Sequence, residues 1–290
     1  MRLTVETIED VLDLVYVHRE STLDLRGVSA VDPYALLTLD LAVRHARESG
    51  RRLRVAWPDA PGIRRTLTSA RFFADVKTGI DHLPAADPDL VLQPIAAIDR
   101  EENVTALVDA FDRRLADRYP IDEAPRRRFL RILLELFQNI PQHANATGDV
   151  LDPHGIATMA DDGECVILAI ADKGIGLRRS LALRPGAAPR SDADALRAAV
   201  LEGASRFIDP GRGQELARIV RRVRAWEGAV AVRSGTALFY ESDAGGDVVD
   251  VAPFPGVQIS LAIPRRAFGI GEATFGERGV ESYEDPGFNE

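Results

Sequence analysis

A chain of 290 residues with 46% hydrophobic and 28% charged residues has the composition of a globular protein and is long enough for two domains of ordinary size. No apolar run approaches the roughly 18 residues that cross a bilayer, the acidic start MRLTVETIEDVLD is unlike a secretory leader, and the single cysteine, Cys165, excludes an intrachain disulfide, so a cytoplasmic protein without membrane association is expected. A net charge of -9 speaks against a general nucleic-acid binder, because affinity for polyphosphate rests on clustered cations.

In chain order, hydrophobic periodicity predicts a helix over residues 8–18, a strand over 21–26 and a helix over 33–48. Asp32 is placed to cap that helix, Pro33 suits its first turn, and Tyr34, Leu37, Leu41 and His45 recur at helical spacing before Gly50 ends it. A strand over 53–57 and a helix over 62–74 follow, and strands alternating with helices imply an α/β layer structure. The Pro- and Asp-rich segment LPAADPD over 83–89 is the expected boundary between an N-terminal domain, 1–83, and a second domain, 90–266.

The second domain is expected to hold a strand over 90–96, helices over 101–117 and 125–143, and strands over 155–160, 165–171, 229–233 and 257–263. Further helices are expected near 192–201 and 214–226. Helices followed by a run of strands suggest an α/β sandwich rather than a doubly wound sheet. The tail, 267–290, is glycine-rich and acidic and reads as a mobile or docking segment. Arginine clusters at Arg126–Arg128 and at Arg218, Arg221, Arg222 and Arg224 fall on predicted helices and read as solvated faces; Lys77 and Lys173 are the only lysines.

Three short motifs stand out. On the helix over 125–143, Glu135, Asn139 and His143 share one stripe, while Phe129, Ile132, Leu133, Leu136, Phe137 and Ile140 form the neighbouring apolar face. Such a helix packs on a sheet and still presents a carboxylate and an amide to a ligand. Asp172 closes an apolar strand and is followed by Gly174 and Gly176, where glycine lets a backbone approach a flat ligand. Gly211 and Gly213, with Arg212 between them, precede a helix whose first N–H groups can face phosphate. Each motif alone is equally an ordinary polar stripe, a tight turn or a helix-entry loop.

In this order the three motifs resemble the ATP site of the GHKL superfamily, the Bergerat fold, and most closely its histidine-kinase-like ATPase domains of the anti-sigma-factor serine kinase type. The resemblance covers about residues 90–264. It implies ATP and Mg2+ as cofactors, with Asp172 accepting from the adenine amine, Asn139 on magnesium, the glycines around phosphate, and Glu135 as base. Residues 1–81 resemble a STAS domain, the fold of anti-sigma-factor antagonists, through LDLRGVSAVDPYALLTLDLAVRHARESGRRLRVAW. The resemblance implies a regulator with a protein partner, a STAS-type antagonist or a sigma factor, and a possible homodimer.

Four departures bear on these expectations. Gln214-Glu215-Leu216 stands where the family has Leu-Gly-Leu and puts a carboxylate beside the phosphate path; Gly256-Val257 stands where Gly-Thr supplies a hydroxyl to the aspartate; and Pro141 is expected to kink or end the helix just after Asn139. In the STAS-like part, Pro33 and Tyr34 occupy the usual place of a phosphorylatable serine. Two functions stay open: a serine/threonine protein kinase whose ATP lid is the loop over 177–210, or a nucleotide-gated interaction module without phosphoryl transfer.

Overall fold

A computed structural model of the chain describes residues 1–72, 91–98, 100–143, 155–184, 186, 188–206, 214–242 and 245–270. The expected boundary at 83–89, the tail from 271 onward, and Gly211, Arg212 and Gly213 lie outside the described residues.

The N-terminal part contains β1 (Arg2–Leu3), α1 (Ile8–Tyr16), β2 (Thr22–Asp24), β3 (Ala30–Val31), α2 (Pro33–Glu48), β4 (Arg54–Ala56) and α3 (Pro61–Ser69). The strands pair in parallel as β1 with β3 and β2 with β4. Strands as short as β1 and β3 leave no period in the sequence and were not expected. Helix α2 starts as its residues dictate. Asp32 Oδ1 accepts from the Ala35 N–H at 2.7 Å, its Oδ2 accepts from the Val5 N–H at 2.9 Å, and the chain leaves the helix through Gly50 at φ +72°. One carboxylate thus caps α2 and ties it to the segment that enters α1.

The α2 surface departs from the expected single apolar stripe. Leu36, Leu39 and Val43 are buried as well as Tyr34, Leu37 and Leu41, and Asp40 is buried against Arg44, whose Nε donates to it at 2.5 Å. A helix buried on more than one side lies between two layers. The second layer belongs to the C-terminal part.

That part contains β5 (Gln93–Ile98), α4 (Glu101–Arg118), α5 (Glu123–His143), β6 (Gly155–Asp161), β7 (Cys165–Asp172), α6 (Gly176–Ala182), α7 (Asp192–Arg197), α8 (Glu215–Ala225), β8 (Ala229–Ser242) and β9 (Gly245–Pro264). The strands form one sheet in the order β5-β6-β7-β9-β8, every neighbour antiparallel. Strand alternation gives the sheet two unlike faces. Val166, Leu168 and Ile170 of β7, Ile259, Leu261 and Ile263 of β9, and Val230 and Val232 of β8 face a core with Phe111, Phe129, Phe137, Val220 and Val223 of the helices. The other face carries Ala169 and Ala171, and there Ile156 and Phe254 join a second cluster with α1 and α2. Alanine on this face lets a helix backbone approach closely, which is how α2 comes to be buried on its far side.

Three expectations are corrected. The strands expected over 229–233 and 257–263 are the inner halves of much longer strands. The β8–β9 ladder runs through Gly235, Pro253, Pro255 and Gly256 by register shifts around Gly235 and then continues outward to Ser242 and Gly245. Within the span expected as a lid loop, 177–210, the helix expected near 192–201 is present as α7 with a π-helical turn over Ala198–Glu202, but the stretch before it holds most of α6 rather than loop, and Leu181, Ala195, Leu196 and Val200 are buried. Finally, α5 does not end after Asn139 but runs to His143 with Pro141 inside it. The proline sits in the last turn, where its missing N–H costs a single bond. Among the described residues no helix is long and apolar enough to cross a membrane.

Candidate functional site

The apolar face of α5 sets the position of its polar stripe. Phe129, Leu133, Leu136 and Phe137 are fully buried against the sheet and α4, with Phe111 and Phe137 meeting edge to face at 5.2 Å, so the helix cannot rotate without losing its core. Asn139 is thereby held, half-buried, at the wall of a cavity of ≈ 830 Å³, its open mouth included. The floor is apolar, with Leu136, Ile140, Ile170, Leu181, Val257 and Ile259. Asp172, Ser180, Ser205, Arg206 and Glu215 supply polar groups around it. An apolar cavity with a few converging polar groups is the usual form of a small-ligand site.

Asp172 is the best-defined of these groups. It ends β7, it is buried, and burial pushes its carboxyl up to about 6 against the opposing pull of the Gly174 and Val257 N–H groups. Gly174 donates to Asp172 Oδ1 at 2.7 Å. Behind the carboxylate, the Gln258 side chain, fully buried, donates from Nε2 to the Asp172 carbonyl at 3.0 Å and to the Pro255 carbonyl at 2.8 Å. Gly256, at φ +78°, makes the approach of β9 possible: a Cβ there would lie 2.0 Å from the Asp172 carbonyl oxygen. Gly176 opens α6 at φ +72° beneath Ser234, whose Oγ accepts from the Leu177 N–H at 2.9 Å and donates to the Gly256 carbonyl at 3.1 Å.

Of the expected site residues, the cavity brings together Asn139, Asp172 and Gly176, with Gly174 bonded to Asp172 from behind. Glu135 stands one turn before Asn139 but outside the cavity lining, where its Oε1 accepts from Arg131 Nε at 3.1 Å. Burial raises its pKa, the Arg131 hydrogen bond opposes this, and the nearby Glu215 carboxylate raises it further. The side chain of His143, and Gly211, Arg212 and Gly213, lie outside the described residues. Among the described residues no three His, Cys, Asp or Glu side chains gather as a metal site.

Sequence reasoning missed Ser180, Ser205, Arg206, Ser234 and Gln258. Ser180 lies in α6, a helix not expected at all, and Gln258 directly follows the Gly256-Val257 pair, where a polar residue in an apolar strand was the available signal. No protein-family model matches the chain, and neither does any curated protein.

Proposed function

We propose that the chain is an ATP-binding regulatory protein, with an N-terminal STAS-like α/β domain and a C-terminal GHKL-type α/β sandwich, acting on a protein partner in the cytoplasm. One observation carries this reading: Asn139 of α5 and Asp172 of β7 line a single apolar cavity, with the Asp172 carboxylate buried and oriented by two backbone N–H groups. Two backbone donors leave the carboxylate with unused lone pairs, which suit the exocyclic amine of adenine. The aliphatic floor suits a purine ring, and the amide oxygen of Asn139 suits magnesium, a hard cation that keeps waters and takes its remaining oxygens from phosphate. The donor set therefore fits Mg2+-ATP. In this reading Gly211, Arg212 and Gly213 cradle phosphate, and the partner is an antagonist of the STAS type or a sigma factor.

Of the two modes of action, a nucleotide-gated interaction module is favoured over a serine/threonine kinase. The specific observation is that Glu135 is engaged by Arg131, stands outside the cavity lining, and has Glu215 as a like-charged neighbour. A catalytic base must reach the hydroxyl or water it activates. Equilibrium dialysis with labelled ATP tests the binding claim: micromolar retention by the wild type and its loss in Asn139→Ala are expected, and wild-type protein that retains none refutes it. Phosphate transfer and release by wild type and Glu135→Ala decide the mode. A wild-type activity abolished in the variant establishes the kinase, and its absence from both leaves the module.

A further inference from the structure

Two stretches of chain run unbroken from the cavity into the N-terminal part. The first is residues 254–258 of β9. Its near end is the cavity wall: Val257 lines it and donates to Asp172, and Gln258 holds the Asp172 carbonyl. Its far end is Phe254, 2% exposed and a member of the N-terminal cluster, with Tyr16 of α1 meeting its ring edge-on at 5.2 Å. Over the same ring lies the Arg233 guanidinium at 5.3 Å, fully buried, its Nε 2.9 Å from Glu9 Oε1 of α1. Arg233 stands directly across the ladder from Gln258. The second stretch is the turn after β7, where Lys173, next to Asp172, pairs with Glu48 at the last residue of α2.

Asp172, Val257 and Gln258 all belong to the C-terminal sheet. Yet both segments that orient the Asp172 carboxylate are fixed at their other ends by α1 and α2. We infer that the N-terminal part is a positioning element of the cavity: docking of α1 and α2 on the sheet and occupancy of the Asp172 site favour one another through residues 254–258 and the Asp172–Lys173 turn. Glu9, Glu48, Arg233 and Phe254 are positioning residues in this scheme and touch no ligand. The coupling is reciprocal, so a ligand that tightens the carboxylate also tightens α1 and α2. That the ligand is a nucleotide rests on the function proposed above; the positioning itself does not.

The Gly174 and Val257 amides report on the arrangement directly, because both donate to Asp172. Hydrogen exchange read by mass spectrometry on the full chain, without ligand, compares wild type with Glu48→Gln and Glu9→Gln. Both variants are expected to speed exchange in peptides covering 172–177 and 254–259 by roughly fivefold or more, while a peptide covering 166–170 in the sheet core is unchanged. Asp24→Asn, which breaks the exposed Asp24–Arg26 pair in the same N-terminal part, should move neither peptide. Unchanged exchange in both reporter peptides of Glu48→Gln and Glu9→Gln overturns the inference, and so does an equal response to Asp24→Asn. A second arm adds Mg-ADP to wild type and expects slower exchange in α1 and α2. Binding with protection confined to the cavity walls overturns the coupling and leaves the nucleotide reading standing. A wild type that binds no Mg-ADP but whose reporter peptides respond to Glu48→Gln overturns the nucleotide reading and supports the positioning.

Discussion

The two faces of the five-stranded sheet are built from different chemistry, although the same strands make both. One face presents Val166, Leu168 and Ile170 with Ile259 and Leu261, and buries them under α5, α8 and their neighbours. The opposite face presents Ala169, Ala171, Ser260 and Ala231, together with the buried polar side chains Arg233 and Gln258, and receives α1 and α2. Large aliphatic residues gain most from leaving water and form a core that tolerates some change of shape. Small residues gain less from burial but bring backbones close, so registry on that face depends on a few polar anchors. The cavity opens on the aliphatic side, and the groups that hold its carboxylate are anchored on the other.

If that contrast is correct, the largest loss of stability comes from an anchor. Glu9→Ala leaves the Arg233 charge buried without its partner and should cost about 3–5 kcal/mol in chemical denaturation. Replacing both residues by apolar ones should recover most of it. A loss under about 1 kcal/mol for Glu9→Ala would mean that the Arg233 environment is wet. Neighbouring residues on β7 sharpen the comparison, because they point to opposite faces. Leu168→Ala should cost about 2–5 kcal/mol through the cavity it leaves. Ala169→Leu, one residue on, should cost about 1–3 kcal/mol by overpacking against α2, and a stabilising effect there would refute close docking. The smallest expected effect is at Asp32→Ala, about 1–2 kcal/mol from the lost cap of α2.

Much of this architecture was open to reading from residue patterns, for reasons that can be named. Asp32-Pro33 and Gly50 bracket α2 because capping is local chemistry, and the stripe of α5 is legible because Phe129, Leu133, Leu136 and Phe137 repeat at helical spacing. Asp172 stood out as a carboxylate closing an apolar strand. What escaped depends on tertiary placement. The second buried side of α2 has no signature of its own until the alanine face is known to lie against it. Arg233 looks like any other cation in a chain whose positive residues are nearly all arginine, and only the fold shows it buried beside Glu9. The outer halves of β8 and β9 were hidden by Pro253, Pro255 and two glycines, which act there through a bulge rather than a break. Helix α6 is short and begins within the glycine motif itself, so its first turn has the sequence of a loop.

In the proposed function Asp172 and Asn139 serve one ligand, and the raised Asp172 pKa gives that pairing a pH signature. In the folded chain the ionised carboxylate is the disfavoured form. Its contribution to stability is therefore full below the unfolded value of roughly 3.9 and is lost as pH rises through about 6. A ligand amine that bonds the ionised carboxylate gains affinity over the same rise. Calorimetric titration with Mg-ADP at about pH 5 and about pH 8 tests this directly. Micromolar binding at the higher pH, weaker binding at the lower, and loss of binding in Asp172→Ala and in Asn139→Ala are expected; binding that ignores both substitutions, or none at either pH, refutes a shared site.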